Sequence, residues 1–309
     1  MARTKSSKLK SGRPPLAVRT DSGTAKVTVN ARQKSSRATR SLINKHHQLQ
    51  KARATASAAG DHELVQDLDE QLQNLGGLQA YQAASLTGQD RDRGGDSSEK
   101  LVEWLRKYDL VGSSRTTQNL RVLEVGALSS KNAISGMIGK GVEVVKRIDL
   151  HSQEPAVIEE ADFMTFPVPG RDGDKYDILS LSLVLNFVPD VAQRGEMLRR
   201  TTMFLRPHTT NSGQGASTRD SAALPSLFVV LPLPCLTNSR YMTHDHFVSI
   251  MESLGYELRE HHESQKLSYM LFMWNGAKHD KSKVFKKVEI NPGRTRNNFA
   301  VVLDTGRGR

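Results

Sequence analysis

Apolar positions recur along this chain with two different periods. Between Ser41 and Leu110 they fall three or four residues apart, which predicts helices; from Leu120 to Trp274 they gather in short β-branched runs with helical stretches between them. Leu42, Leu49 and Ala52 give a helix from Ser41 to about Ala59, which Gly60 stops. Leu64, Leu68, Leu72 and Leu75 put one apolar face on a second helix. It starts from Asp61 as N-cap, with Glu63 close behind, and ends at Gly76-Gly77. Tyr81–Ser85 reads as a short helix and Thr87–Ser98 as a polar loop. Glu99–Leu110 is a further helix with Leu101, Trp104, Leu105 and Tyr108 on one face, where packing is the expected role of Trp104.

The second half alternates strand and helix. Leu120–Val125 suits a strand buried on both faces of a parallel sheet. A helix near Asn132–Ile138 should return the chain to a second strand, 143–149, and a short third strand ends near Glu160. Tyr176–Leu185 is strand four, followed by a helix over 191–205 and a Gly/Ser-rich loop from Thr209 to Ala223. Strand five is Ser226–Pro234. Thr243 caps a helix over 244–254 that Gly255 ends, and Tyr256–Glu263 with Lys266–Trp274 makes an antiparallel hairpin. Such alternation gives an α/β fold: a parallel sheet with right-handed crossovers, closed by a reversed strand.

Charge divides the 309 residues more sharply than hydrophobicity does. Residues 1–60 carry 14 Lys and Arg against Asp21 alone; 61–277 is −8; Lys278–Arg309 is +6. An acidic globule with basic ends favours a nucleic-acid partner, the ends supplying phosphate contacts. Residues 1–38 are too polar to bury a core and read as a disordered basic tail. Lys8–Pro15 suits a nuclear targeting signal; a mitochondrial transit peptide also fits the composition, but Pro14-Pro15 interrupts an amphipathic helix. No apolar run reaches 18 residues, so no membrane span is expected, and no apolar stretch follows the first basic residues as a secretory signal would require. Cys235 is the single cysteine and reads as a packed residue. Three histidine pairs, His46-His47, His244/His246 and His261-His262, lack the Cys or acid spacing of a metal site.

Candidate chemistry lies where the runs end. Glu124 closes the first strand and is followed two residues on by Gly126, a residue that permits a tight turn and close approach of a ligand to the backbone. Asp149 ends the second run, 23 residues after Gly126, the interval at which nucleotide-binding units place an acid for ribose hydroxyls. Asp162-Phe163 follows the third. The sequence Gly126-Ala-Leu-Ser129 lacks the further glycines of a dinucleotide fingerprint. For Gly126 alone an ordinary turn explains as much. The three acids together resemble the S-adenosylmethionine site of class I methyltransferases.

A closer resemblance rests on Leu123-Glu-Val-Gly-Ala-Leu128, Tyr176–Asp190 with its Asn186-Phe-Val-Pro-Asp190, Arg194-Gly-Glu-Met-Leu198, Asn238-Ser-Arg-Tyr241, Gly76–Ser85 and Arg296-Asn-Asn-Phe-Ala300. These look like the fungal 25S rRNA adenine-N1 methyltransferase family over roughly residues 40–305. The resemblance implies a Rossmann-like, seven-stranded class I methyltransferase domain at 116–277, preceded by a helical module at 39–115 and followed by a basic extension at 278–309. It implies S-adenosylmethionine as cofactor, Gly126 and Asp149 as its contacts, and, from the broader class, Glu124, Asp162 and Phe163. The implied substrate is N1 of an adenine in large-subunit rRNA or its precursor particle, in the nucleus and nucleolus, with the protein a monomer that needs neither metal nor membrane. Animal relatives that look like S-adenosylmethionine sensors supply the alternative, a regulatory module without methyl transfer. Ser182 and Asn186 are candidates for positioning the base, with Phe187 and Tyr81 as possible stacking partners and Arg240-Tyr241 placed to meet phosphate and base. A side chain added at Gly126 is expected to fill cofactor space.

Overall fold

The computed structural model describes residues 36–76, 95–113, 119–152, 154–207 and 223–304. Seven strands form one sheet: β1 (Leu120–Val125), β2 (Val142–Asp149), β3 (Glu159–Glu160), β4 (Ile178–Ser182), β5 (Ser226–Pro232), β6 (Tyr256–Glu263) and β7 (Leu267–Trp274). Their order is β3-β2-β1-β4-β5-β7-β6. Neighbours from β3 to β5 run parallel, whereas β7 is antiparallel to both β5 and β6. The alternation of sheet, crossover and closing hairpin is therefore as the pattern of apolar runs requires.

The central strands are buried on both faces, which explains their continuous apolar character. Leu123, Leu179, Leu181, Val229 and Phe272 share one cluster with Met197, Leu198 and Phe204 of α4 (Val191–Phe204) and with Phe247 and Ile250 of α6 (His244–Ser253). On the other face, Val122, Ile178, Phe228 and Leu271 pack with Leu101, Trp104 and Leu105 of α3 (Ser98–Lys107). Trp104 meets Phe228 edge-on at 6.0 Å, the packing role expected of it.

Helix α3 thus belongs to the sheet domain. The helical module expected over 39–115 is divided, since α1 (Ser36–Ala58) and α2 (His62–Asn74) share a separate cluster of Leu49, Ala56 and Leu68. Helix α1 also begins at Ser36, so it takes in the last three residues assigned to the tail. Asp61 caps α2 by accepting from Leu64 N at 3.0 Å. The helix expected at Tyr81–Ser85 and most of the loop at Thr209–Ala223 lie outside the described residues.

Three stretches differ from the sequence reading. In place of a helix near Asn132–Ile138 there is one 3-10 turn, Ser135–Met137, because the polar side chains around it are engaged elsewhere, as described below. β4 stops at Ser182, where Leu183 takes the left-handed region at φ +58°, uncommon for a residue with a side chain. α3 ends at Lys107; Asp109 is likewise at φ +58° and Leu110 N turns back to Leu105 O at 2.9 Å.

The basic C-terminal extension is not a free arm. Phe299, Ala300, Val301 and Leu303 are buried, and the segment is strapped across α4. Buried Arg194 donates to Val188 O and Ala300 O, both at 2.8 Å, with its guanidinium 4.7 Å from the Phe299 ring centre. Val302 N donates to Val191 O at 2.9 Å. At Gly195 an added Cβ would lie 1.9 Å from Val302 O, so only glycine lets the helix and the strap meet. Gly195→Ala should therefore lower stability by about 1–3 kcal/mol, as overpacking does. Denaturant unfolding checks this, and a midpoint equal to wild type would show that the strap is dispensable.

Candidate functional site

The carboxyl ends of β1, β2 and β4 share one edge of the sheet, the edge at which open α/β folds bind ligands. Gly126 leaves β1 at φ +75°, and its N–H donates to Ile148 O at 2.8 Å, holding the turn against β2. An ideal Cβ there would lie 2.4 Å from Val184 Cγ2. The glycine is needed for the contact between the turns that follow β1 and β4. The space beside it belongs to Val184, which corrects the expectation that a side chain at 126 would displace the cofactor directly.

Glu124 is register partner to Arg147 across the β1–β2 pair, and their side chains form an ion pair at 3.7 Å. Asn132 Nδ2 donates to both Glu124 carboxylate oxygens, at 2.6 and 2.8 Å. Ser135 joins Asn132 to Arg147 by further hydrogen bonds. Burial pushes the Glu124 carboxyl up to about 7, against the opposing pull of Asn132 and Arg147. Its partners lie within the fold, so Glu124 organises the turn from inside.

A second group of residues, at the end of the stretch whose polar sequence predicts a loop, braces the same turn. Asp96, just before α3, accepts from Ser98 N and Ser98 Oγ, both at 2.9 Å, and from Ala133 N. Ser98 Oγ in turn accepts from Ile134 N at 3.1 Å. Ser97 Oγ lies 2.6 Å from Ser182 Oγ, which ties the start of α3 to the end of β4. The Asp96-Ser-Ser98 triplet ahead of Glu99 is a helix-start signal, and it could have marked these residues as more than loop.

Asp149 is half-buried at the end of β2. Its Oδ1 accepts from His151 N at 2.8 Å, and burial raises its carboxyl pKa above the usual value despite that bond. A desolvated carboxylate held by one short turn is suited to accept hydrogen bonds from a ligand's hydroxyls. Asp162 is exposed, its Oδ1 accepting from Met164 N at 2.8 Å in a turn of the same kind. Phe163 has to be corrected: its ring is only 2% exposed and packs on Phe204 with centroids 5.0 Å apart, while its carbonyl accepts from Arg200 Nε at 2.8 Å. The ring is part of the core, so a contact from Phe163 to a cofactor would have to come from its backbone.

The two base-positioning candidates are both constrained. Ser182 shares its hydroxyl with Ser97. Asn186 Oδ1 is buried without a hydrogen-bond partner, so in this conformation it does not reach open space. Pro189 is exposed and Asp190 caps α4, accepting from Ala192 N and Gln193 N at 2.9 and 2.8 Å, so the Asn186–Asp190 stretch is a helix start as well as a candidate site. Tyr81 lies outside the described residues. Cys235 is buried, its thiol pushed up to about 12, and inert as packing implies. Among the described residues no three His, Cys, Asp or Glu side chains lie close enough to hold a metal ion, and no helix is long and apolar enough to cross a membrane.

A sheet ordered in this way, with one reversed strand, a glycine turn after β1 and an acid at the end of β2, is the plan of a class I methyltransferase fold. Residues 66–301 match the family model described as 25S rRNA (adenine(2142)-N(1))-methyltransferase, Bmt2, and the chain belongs to that family. It is 35% identical over 253 residues to the 25S rRNA (adenine(2142)-N(1))-methyltransferase of Saccharomyces cerevisiae, covering 82% of this chain and 68% of that one. It is 35% identical over 264 residues to the 25S rRNA adenine-N(1) methyltransferase of Schizosaccharomyces pombe, covering 84% and 89%. Similar solved structures include an O-methyltransferase of neocarzinostatin biosynthesis in complex with S-adenosylmethionine and a naphthoic acid (TM-score 0.42, 13% identity, 75% of this chain and 70% of that one). The N-methyltransferase NodS of Bradyrhizobium japonicum with S-adenosylhomocysteine is another (TM-score 0.37, 12% identity, 56% and 85%).

The residues present fit S-adenosylmethionine. Asp149 would accept from the ribose hydroxyls, and the glycine at 126 keeps the turn close to β2. Removing that acceptor by Asp149→Ala should weaken S-adenosylmethionine binding roughly tenfold or more, the loss of hydrogen bonds to a charged group. Calorimetry on the folded variant measures it, and an unchanged dissociation constant would sink the assignment. Glu124 generates a separate expectation. Its pKa is raised from 4.5 to about 7 in the folded state, so the folded protein holds the proton more tightly than the unfolded chain. Stability should then fall as pH rises from about 4.5 to 7, and the penalty should stay complete above that. In Glu124→Gln the denaturant midpoint should depend less on pH across this window; parallel curves for the two proteins would refute the buried-carboxyl account.

Proposed function

We propose that this protein is an S-adenosylmethionine-dependent methyltransferase that methylates N1 of an adenine in the 25S rRNA of the large ribosomal subunit. Its relatives carry that activity in their names, and the observation in this chain that carries the reading is the pairing of the Gly126 turn with the desolvated Asp149 carboxylate at adjacent strand ends. The bound cofactor supplies an electrophilic sulfonium methyl. Adenine N1 holds its lone pair in the ring plane and would accept the methyl without first losing a proton, the N–C bond forming as the S–C bond breaks, so that the donor would leave as the neutral thioether and the positive charge would pass to the base. What the protein must provide is therefore alignment and exclusion of water, and proximity accounts for much of the rate. Asp149 fixes the adenosine end of the donor. The Asp96–Ser98 brace and the Glu124–Asn132–Arg147 network keep the turn after β1 rigid. Ser182, held by Ser97, stands at the end of β4 beside that turn.

N1 lies on the Watson–Crick edge, so the target base must be unpaired or flipped out of its helix. Such a substrate is found in rRNA and its precursor particle, and the basic composition of residues 1–38 supports a nuclear and nucleolar setting, the tail serving either as a phosphate anchor or as an address for import. Incubation with methyl-labelled S-adenosylmethionine and 25S rRNA, free and in precursor particles, followed by digestion to nucleosides, should give labelled N1-methyladenosine. Stoichiometric cofactor binding with no label in any RNA would instead make the protein a sensor.

A further inference from the structure

The turn Asn238–Tyr241 follows β5 and the short helix α5 (Pro234–Thr237), so it lies off the edge of the sheet at which β1, β2 and β4 end in the candidate site. The C-terminal strap is fastened to this turn by its backbone. Arg240 O accepts from Ile290 N at 2.7 Å and from Asn291 N at 3.0 Å; Arg240 N donates to Asn297 O at 3.0 Å; Asn297 N donates to Asn238 O at 2.9 Å. Below it, Ser239 is fully buried, its hydroxyl donating to Phe299 O at 2.5 Å. A chain segment of otherwise exposed, charged residues is in this way fixed in one place.

The fixed surface has a specific chemistry. Lys287 Nζ lies 4.6 Å from the centre of the Tyr241 ring, and the Arg240 guanidinium lies 5.8 Å from it. Arg240 Nε is shut away from solvent without a partner. Among the described residues, neither Arg240 nor Lys287 forms an ion pair with a carboxylate, and nor do Lys286, Arg294 or Arg296. Unpaired cations grouped around one half-buried aromatic ring are poor neighbours for one another. They are well suited to a strand that alternates anionic phosphates with flat bases. Within the described residues 278–304 the strap carries seven Lys and Arg against three acids, whereas residues 61–277 sum to −8, so the strap is a basic surface on an acidic chain.

We propose that Tyr241, with Arg240 and Lys287, forms a single-strand RNA platform on which a nucleotide flanking the target adenine stacks, its phosphates held by the two cations and by the strap. The proposal rests on the reading of the protein as an rRNA methyltransferase and names where the substrate strand is gripped. It gives the docking of the strap a purpose: burying Phe299, Ala300, Val301 and Leu303 fixes the segment that carries Lys287 to the turn after β5. Acidic peptides would satisfy the cations but leave the ring without a flat partner, so RNA is the occupant that uses the whole surface.

The test uses the full chain, a single-stranded RNA oligonucleotide and purified 25S rRNA, with RNA affinity measured across a range of salt. Tyr241→Ala should weaken RNA binding about tenfold or more, and Tyr241→Phe should restore it, since stacking needs the ring and not the hydroxyl. Lys287→Ala and Arg240→Ala should each flatten the salt slope by about 0.7, the contribution of one single-strand phosphate contact. S-adenosylmethionine affinity should stay at the wild-type value in all four variants. Lys287 is exposed, so its replacement leaves the core intact and decides the matter even if a change at Tyr241 disturbs the turn. If the wild type methylates 25S rRNA while Lys287→Ala, Arg240→Ala and Tyr241→Ala bind RNA with unaltered affinity and slope, the platform is wrong and the activity stands. If the wild type binds cofactor but no RNA, platform and activity fall together.

Discussion

A carboxyl group buried at the end of a parallel strand cannot be left without partners, and Glu124 imposes that demand on everything around it. Arg147 answers from the neighbouring strand because parallel register sets it directly opposite. Asn132 answers from the turn, using its amide to reach both carboxylate oxygens. These bonds hold the chain after β1 open where a helix could have formed, since Asn132, Ser135 and Arg147 are committed to one another across the turn. Backbone donors set free in the process, at Ala133 and Ile134, are taken up by Asp96 and Ser98 at the start of α3. The helix that packs beneath the sheet and the turn that offers Gly126 are thus one structural unit. An ion pair in such a place contributes little net stability beyond satisfying its own burial; its effect is to select a single conformation for the turn.

Much of this could be read from the residues alone, and the failures have physical causes. Strands β1, β5, β6 and β7 were legible because the apolar runs are short, bounded by glycine, proline or polar residues, and alternate with amphipathic helices. Thr243 and Asp61 announced their helices because caps are local chemistry. The Asn132–Ile138 segment was misleading because its conformation is set by Glu124, Arg147 and Asp96, which are distant in sequence. The early end of β4 depends on Leu183 adopting a backbone conformation that its side chain disfavours, which no propensity would suggest. At the site, the spacing of Gly126 and Asp149 is legible because it follows from the strand ends, whereas the burial of the Phe163 ring is not, because adjacency to Asp162 says nothing about which way a ring turns. Val184, Ser97 and Asp96 were missed because their importance lies in contacts made across the sheet edge.

The distribution of charge takes on a different meaning once the strap is seen to be docked. From the sequence, the basic ends look like two arms attached to an acidic body. In the structure the C-terminal end is built into the body through Arg194, Gly195 and the buried residues Phe299 to Leu303. Its lysines are therefore held in place relative to the sheet edge, and the ordering entropy that a free arm would lose on meeting RNA has already been lost in folding. A fixed cation confers register where a mobile one confers only attraction.

That difference bears on how a site with so few reactive groups can be selective. Transfer to N1 requires no base to remove a proton, so chemistry alone does little to distinguish one unpaired adenine from another. Discrimination must come from how the strand is held, and with Glu124 and Phe163 turned into the fold, the residues around the turn after β1 hold that turn and not the RNA. The selective contacts must lie further out, on surfaces rigidly connected to the strand ends. The turn after β5 meets that condition, being bonded on one side to the sheet through α5 and on the other to the strap that crosses α4. Rigid connection between a phosphate-holding surface and the cofactor edge is what would let a contact with a flanking nucleotide decide which adenine presents its N1 to the methyl group.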